Sequence, residues 1–131
     1  MNVTPRFNRK MNEVSAERRC DLTALLEDSY LGDSNVARAA QTLTLLSNRQ
    51  RLRILCHLAK EGELSVAELL ERVHLSPSAL SQHLARLRED DFVRTRKVRQ
   101  SVYYRIVRDD IHKILEVLNE LYCTAGLVES S

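Results

Sequence analysis

Residues 65–84, SVAELLERVHLSPSALSQHL, contain the start signals of two successive helices separated by a tight turn. The first signal is Ser65 followed three residues later by Glu68. In this capping-box pattern the serine hydroxyl and the glutamate carboxylate each accept a hydrogen bond from a free backbone N–H at the helix start. A short helix is therefore predicted over about 65–72.

The second start signal is Ser76-Pro77, an N-cap residue followed by proline at the first helical position. It predicts a helix over about 77–89. The buried stripe of this helix consists of leucines spaced by four and three residues: Leu80, Leu84 and Leu87. A short helix, a tight turn and a second helix with a polar start form a helix-turn-helix, in which the second helix enters the major groove of DNA.

Two further helices are predicted before this motif. Apolar residues at helical spacing indicate helices over about 35–46 and 48–60, with Ser34 and Ser47 as their N-caps. Gly62 follows the second of them and is the residue type expected where a helix stops. Four helices are thus expected in succession up to the end of the helix-turn-helix.

The hydrophobic period changes after the helix-turn-helix. Residues 92–107 are rich in β-branched and aromatic types around a basic centre, which predicts a β-hairpin with a basic tip. Asp109 and Asp110 place acidic groups at the start of a last helix over about 110–123, where they complement the helix dipole. The fold class is therefore mainly α with a small β-hairpin, a winged helix-turn-helix in the order α-α-α-α-β-β-α.

The expected domain organisation is one winged helix-turn-helix domain over 34–123, because 131 residues suit a single domain. It is preceded by an N-terminal extension, 1–33, that is partly disordered or holds a short helix around 14–28, and it is followed by a flexible tail, 124–131. No apolar run approaches the roughly 20 residues that span a bilayer, and the N-terminus has no signal-peptide core. We therefore expect a cytoplasmic protein with no membrane partner.

Basic residues are concentrated in the segment that is expected to meet DNA. Residues 76–108 carry a net charge of +5, whereas residues 109–131 carry −4. Local positive charge suits phosphate contact, and Ser, Gln and His side chains can bond to base edges. The residues predicted to contact double-stranded DNA lie on the second helix or at the hairpin tip: Ser76, Ser78, Ala79, Ser81, Gln82, His83, Arg86, Arg96, Lys97, Arg99 and Gln100. A plain helical domain with a solvated hairpin, or an interaction module without DNA binding, is the competing interpretation.

Four stretches carry a resemblance to a known family. Residues 46–55, LSNRQRLRIL, resemble the L-S-x-x-x-R-L-x-I-L signature of ArsR-family winged-helix repressors, and 63–69, ELSVAEL, resemble the start of their helix-turn-helix. Residues 75–84 are similar to their recognition helix, and 102–104, VYY, to their returning wing strand. The resemblance covers about 35–123. It implies a homodimer whose interface is formed by the first and last helices, and repression of operator DNA that an inducer relieves.

Many members of this family sense metals, but the ligands of two known sites are missing here. Ser65 and Ala67 stand where one site has cysteines, and neither a hydroxyl nor a methyl replaces a thiolate for a soft metal. The positions that match a second site, on the last helix, are Arg108, Asp110, Leu121 and Thr124. The four histidines show no ligand spacing with one another. We therefore expect neither a metal nor a cofactor.

Two of the three cysteines resemble the dithiol of an ArsR subgroup that senses reactive sulfur species and oxidants. These are Cys56, in LCHL, and Cys123, in LYC. The resemblance implies that a disulfide or polysulfide between them weakens DNA binding, with reactive sulfur species or oxidants as inducer. Cys20 resembles the additional cysteine of some members and is accessory.

Helix geometry gives the two cysteines different surroundings. At 100° per residue Cys56 falls within a stripe of apolar residues, so a small core residue is the ordinary alternative for it. Cys123 lies about 100° from the centre of the apolar stripe of its helix, where packing does not account for it. Two functional alternatives stay open: an arsenite-type sensor using all three thiolates, and a regulator insensitive to redox. A third alternative, an enzyme, is disfavoured. Adjacent helical positions make Cys56 and His57 a poor catalytic dyad, so no enzyme is expected.

Overall fold

A computed structural model of the chain describes residues 20–27 and 34–123. The described elements follow one another in the order α1 (Thr23–Leu26), α2 (Asn35–Leu46), α3 (Arg49–Glu61), β1 (Leu64–Ser65), α4 (Val66–Arg72), α5 (Pro77–Glu89), β2 (Val93–Val98), β3 (Ser101–Ile106) and α6 (Asp109–Tyr122). Contacts divide the chain into two compact units, Met1–Thr42 and Leu43–Ser131, so the boundary falls inside α2.

The described part of the first unit contains α1 and most of α2. The Asp21 carboxylate accepts hydrogen bonds from the backbone N–H (3.0 Å) and the hydroxyl (2.6 Å) of Thr23, which starts α1. Within the described residues, the helix expected around 14–28 is reduced to the four residues of α1, and 14–19 and 28 lie outside the description. The expected domain limits at 33/34 and 123/124 stay predictions.

Side-chain caps start the helices at the positions that the sequence signals indicate. Ser34 Oγ accepts the Ala37 N–H at 2.9 Å, which confirms the cap of α2. The capping box of α4 is complete, with Ser65 Oγ accepting the Glu68 N–H at 3.1 Å and the Glu68 carboxylate accepting the Ser65 N–H at 2.8 Å. These bonds satisfy N–H groups that a helix leaves free in its first turn.

The start of α3 differs from the prediction. Asn48, not Ser47, is the N-cap, because its side-chain oxygen accepts the N–H groups of Gln50 and Arg51, both at 3.0 Å. The Ser47 hydroxyl instead donates to the carbonyl of Thr44 at 2.8 Å, at the end of the preceding helix. Ser47 and Asn48 are both residue types that cap helices. The backbone places Asn48, and not Ser47, at the N-cap position of α3. At the other end Gly62, with a φ of 88°, ends α3 as expected.

Three antiparallel strands form one sheet in the order β1-β3-β2. The predicted hairpin is confirmed as β2 and β3, whose register runs from Val93 opposite Ile106 to Val98 opposite Ser101. The helix and hairpin order of a winged helix-turn-helix is therefore confirmed. β1 was not predicted: Leu64 lies opposite Tyr104, in a strand of two residues that is too short to show a period.

The hairpin turn consists of Arg99 and Gln100, and it places Arg99 at a φ of 57°. This left-handed conformation costs a residue with a side chain about 1–2 kcal/mol relative to the ordinary helical or extended regions. Glycine would avoid that cost. The turn therefore keeps a charged side chain at the tip of the wing in place of the residue that suits the backbone best.

One apolar core lies between the helices and one face of the sheet. The leucines predicted for α5 are all buried in it, together with Ile54, Leu55 and Leu58 of α3, which have no exposed surface. The other large fully buried side chains include Leu69, Phe92 and Ile111. Within the described residues, no helix combines the length and the apolarity that crossing a membrane requires.

The last helix buries only its first half. Ile111 and Leu115 are buried, and Arg108, just before the helix, holds its guanidinium 4.8 Å from the ring centroid of Phe92. Apolar side chains in the second half are exposed: Val117 by 51%, Leu121 by 63% and Tyr122 by 73%. The apolar stripe predicted along the whole helix thus continues onto the surface of one chain.

The two candidate caps of α3 give a direct test of the cap assignment. We expect Asn48→Ala to lower the free energy of unfolding by about 1 kcal/mol, because two N–H groups lose their acceptor. Ser47→Ala is the matched control and should change it by less than about 0.5 kcal/mol, as is usual for surface positions. Urea denaturation of the reduced protein at one fixed concentration measures both, and equal losses would contradict the assignment.

Candidate DNA-binding face and dithiol site

The start of α5 presents several polar side chains to solvent. Ser76 Oγ accepts the Ala79 N–H at 3.1 Å and lies 3.3 Å from the hydroxyl of Ser78, so Ser76 is held as the helix cap. Ser81 and Gln82 are exposed, and neither side chain makes a hydrogen bond within the described part of the chain. This surface therefore offers Ser78, Ser81 and Gln82 as donors and acceptors, while Ser76 chiefly sets the helix start.

His83 and Arg86 sit further along α5. Half-burial, and secondarily the charge of Arg51, lower the pKa of His83, so its imidazole is neutral at pH 7 and offers one donor and one acceptor. Arg86 is exposed and forms an ion pair with Asp90 one turn later, with Nε and Oδ2 3.0 Å apart. Arg86 therefore already has a charged partner within its own helix, whereas His83 is uncharged.

The predicted contact residues at the wing tip differ in their surroundings. Lys97, Arg99 and Gln100 are exposed at the hairpin turn. Arg96, in contrast, is paired through two nitrogen atoms with both carboxylate oxygens of Glu63, at 3.0 and 2.6 Å. Its guanidinium also lies 5.4 Å from the ring centroid of Tyr103.

The Arg96–Glu63 pair changes what the wing can do. Hydrogen bonding to Arg96 lowers the pKa of Glu63, so the carboxylate stays ionised and the pair stays intact over the ordinary pH range. Glu63 engages Nε and Nη2 of Arg96, so fewer of its five N–H donors remain for a phosphate than on an unpaired arginine. Arg96 was predicted only as a DNA contact at the wing tip. Its partner Glu63 was not predicted, because it lies 33 residues away in the chain and shows no local signal.

The dithiol candidates lie on two helices of the second unit. Cys56 is on α3 and Cys123 is the C-cap of α6; both are exposed and neither is in a disulfide. Burial of part of the side chain, and secondarily the charge of Cys123, raise the pKa of Cys56. The ordinary alternative, in which Cys56 is a core residue, is wrong, because its neighbour Leu55 enters the core and Cys56 does not.

A cleft of about 430 Å³ opens beside Cys56, between α3 and α6. Its lining comes from both helices: Cys56, Ala59 and Lys60, and His112, Leu115, Glu116 and Asn119. The α6 residues and Cys123 are spaced at 112, 116, 119 and 123, so they share one helix face. That spacing was visible in the sequence, but the facing side of α3 was not.

Candidate metal ligands do not cluster within the described residues. No group of three or more His, Cys, Asp or Glu side chains is placed to hold an ion within 20–27 and 34–123. Cys20, the third thiolate of the arsenite-type alternative, is exposed and belongs to the other unit of the chain.

Sequence comparison places the chain in a family. Residues 48–95 match the profile of the bacterial regulatory proteins of the arsR family. The chain is 47% identical over 94 residues to the transcriptional activator HlyU of Vibrio cholerae serotype O1, an alignment that covers 72% of this chain and 86% of that protein. The chain therefore belongs to the arsR family, whose members are DNA-binding transcription regulators and not enzymes.

Solved structures agree with this assignment. Reduced HlyU from Vibrio cholerae superposes with a TM-score of 0.64 at 48% identity and covers 68% of this chain and 93% of that one. The transcriptional repressor BigR from Xylella fastidiosa has a TM-score of 0.64 at 33% identity, covering 67% of this chain and 89% of that one. The winged helix-turn-helix prediction and the family resemblance are confirmed.

The Arg96–Glu63 pair can be tested through the salt dependence of DNA binding. We expect Glu63→Gln to raise DNA affinity severalfold at low salt and to steepen the slope of log K against log salt by about one, because Arg96 becomes available to one phosphate. Glu61→Gln is the matched control, since it removes the same charge from a pair with Arg72. Equal slopes for the two variants would show that only net charge changed.

The raised pKa of Cys56 predicts how its alkylation depends on pH. Since the thiolate is the nucleophile, we expect the rate of its reaction with iodoacetamide to rise about tenfold per pH unit from pH 7 to 9 without a plateau. Cys123→Ser should shift the profile to lower pH, because it removes one cause of the raised pKa, and Cys20→Ser should leave it unchanged. Peptide-resolved mass spectrometry gives the rates, and a plateau below pH 8 would contradict the pKa direction.

Proposed function

We propose that this protein is a homodimeric repressor that binds operator DNA and releases it when Cys56 and Cys123 become joined. The observation that carries the proposal is the pair itself: two exposed free thiols, on α3 and at the end of α6, with the charge of Cys123 contributing to the raised pKa of Cys56. Reactive sulfur species or oxidants act as the inducer, because both convert a pair of thiols into a covalent link.

The relatives support this function in two respects. One is named a transcriptional repressor, BigR, and one solved structure is described as reduced HlyU. A repressor role is thus stated for one protein with the same fold, and a reduced state for another. HlyU is named a transcriptional activator, so the names of the relatives include both directions of control.

The exposed apolar residues of α6 suit a dimer interface. Val117, Leu121 and Tyr122 are each more than half exposed and lie in the second half of the helix. Leu43 of α2, in the same unit of the chain, is also exposed. Exposed apolar side chains grouped on terminal helices are typical of association surfaces, and a second copy of the chain would bury them.

The recognition surface combines base-edge and phosphate contacts. Ser78, Ser81 and Gln82 reach base edges from the start of α5, and Ser76, Ala79, His83 and Arg86 complete this side. Lys97, Arg99 and Gln100 contact the backbone or the minor groove from the wing. Arg96 offers all of its donors to the backbone only when it leaves Glu63. In a dimer, two such surfaces must lie about 34 Å apart to match successive half-sites.

A covalent link between the thiols would act through the dimer interface. Cys123 directly follows Tyr122, so tying it to α3 displaces the end of the helix that carries the proposed interface. A disulfide requires Cα atoms about 4.4–6.8 Å apart, whereas a polysulfide tolerates a wider gap. Either link shifts the spacing of the recognition helices, and a loss of about 1.4 kcal/mol weakens operator binding tenfold.

The test compares operator binding by reduced and treated proteins, with DNA selected from a random library by the reduced wild type. After treatment with hydrogen peroxide or sodium tetrasulfide, we expect wild type and Cys20→Ser to lose at least about tenfold in affinity. Cys56→Ser and Cys123→Ser should keep the affinity of the reduced protein. Mass spectrometry identifies the linked peptides and the number of bridging sulfur atoms.

The outcomes separate the alternatives. Equal loss in wild type and both serine variants would show that the thiols are not the switch. No loss in any protein would make this a regulator insensitive to redox. Release by arsenite that requires Cys20, without release by tetrasulfide, would establish the three-thiolate alternative.

A further inference from the structure

The cleft beside Cys56 has the size of a small-molecule site. Its volume of about 430 Å³ lies within the range of about 300–1,000 Å³ that is common for such sites. Lys60 lies four residues after Cys56, on the same face of α3, and Glu116 and Asn119 line the opposite wall on α6. Positive charge, negative charge and an amide thus surround one thiol.

The charged groups of the cleft are not used by the fold. Within the described ranges 20–27 and 34–123, neither Lys60 nor Glu116 makes a side-chain hydrogen bond or an ion pair. The neighbouring carboxylates behave differently, because Glu61 is paired with Arg72 and Glu63 with Arg96. Lys60 and Glu116 are therefore free to pair with groups of a ligand.

The two opposite charges select the class of ligand. A simple anion would be attracted by Lys60 and repelled by Glu116, and a simple cation the reverse. A zwitterion that carries a carboxylate and an ammonium group satisfies both. The free amino-acid part of a low-molecular-weight thiol has these two groups and carries its sulfur nearby.

We infer that this cleft binds the amino-acid part of a low-molecular-weight persulfide, with Lys60 paired to its carboxylate, Glu116 to its ammonium group and its outer sulfur beside Cys56. The inference rests on the proposed dithiol function and names the inducer that this site recognises. Burial raises the pKa of Cys56, so the free thiol is a slow nucleophile. Holding the donor against it raises the effective concentration of the reacting groups.

The reaction needs no other oxidant. The Cys56 thiolate attacks the outer sulfur of the donor, the sulfur–sulfur bond of the donor breaks, and the donor leaves as its thiol. Cys56 then carries a persulfide, and the Cys123 thiolate attacks its inner sulfur and expels hydrogen sulfide. One persulfide and two thiols thus give one thiol, one hydrogen sulfide and one disulfide. The two cysteines are oxidised and the outer sulfur is reduced.

The experiment measures the rate at which the full-length reduced protein forms the Cys56–Cys123 link with four reagents. Cysteine hydropersulfide carries both charged groups, cysteamine hydropersulfide only the ammonium and 3-mercaptopropionate hydropersulfide only the carboxylate. Hydrogen peroxide carries neither and reports the intrinsic reactivity of the thiols. Each persulfide rate is divided by the peroxide rate of the same protein, which cancels changes in thiol reactivity.

For cysteine hydropersulfide, we expect Lys60→Gln and Glu116→Gln each to lower this ratio by about tenfold, the size of one charge-assisted hydrogen bond. Glu116→Gln should not lower the ratio for the carboxylate-only donor, and Lys60→Gln should not lower it for the ammonium-only donor. Lys113→Gln and Glu120→Gln, which alter exposed charges on α6 outside the cleft, are the matched controls and should leave every ratio unchanged.

The inference is wrong if the cleft variants and the controls have the same ratios, or if wild type reacts equally with all three persulfides. In those cases a link that still forms with peroxide and releases operator DNA leaves the proposed function standing. If no reagent joins Cys56 to Cys123, both proposals are wrong.

Discussion

The burial of one face of α3 is the constraint on which the rest of this structure depends. Ile54, Leu55 and Leu58 of this helix have no exposed surface and lie at the centre of the core. Because a helix turns by about 100° per residue, burying these positions directs Cys56 and Lys60 toward the cleft beside α6. The same packing that stabilises the domain therefore determines where its thiol and its free ammonium group point.

A second consequence of the packing concerns the wing. The two residues of β1 pair with β3 directly before the helix-turn-helix begins, so the loop ahead of α4 is tied to the hairpin. This places Glu63 against Arg96 and couples a wing cation to the helix-turn-helix. An exposed pair of this kind contributes little to stability, and it engages two nitrogen atoms of the Arg96 guanidinium.

Local signals predicted most of the fold. The bounds of α2 and α5, the capping box at Ser65 and the hairpin follow from caps and periods that act within a few residues. The errors also have local reasons. Asn48 displaced Ser47 because both are capping types in adjacent positions, and β1 escaped notice because two residues show no alternation. The apolar residues of α6 extend beyond the core, since only the first half of this helix meets the core of its own chain.

The sequence by itself determined which residues share a helix face, where helices begin and which positions carry the chemistry of thiols and cations. Cys123 was separable from the apolar stripe of its helix on that basis alone. Only the tertiary structure decided that Cys56 leaves the core, that Arg96 has a partner and that a cleft joins α3 to α6. Helix period and capping depend on neighbouring residues, whereas these contacts join segments far apart in the chain, and the packing of the whole core brings them together.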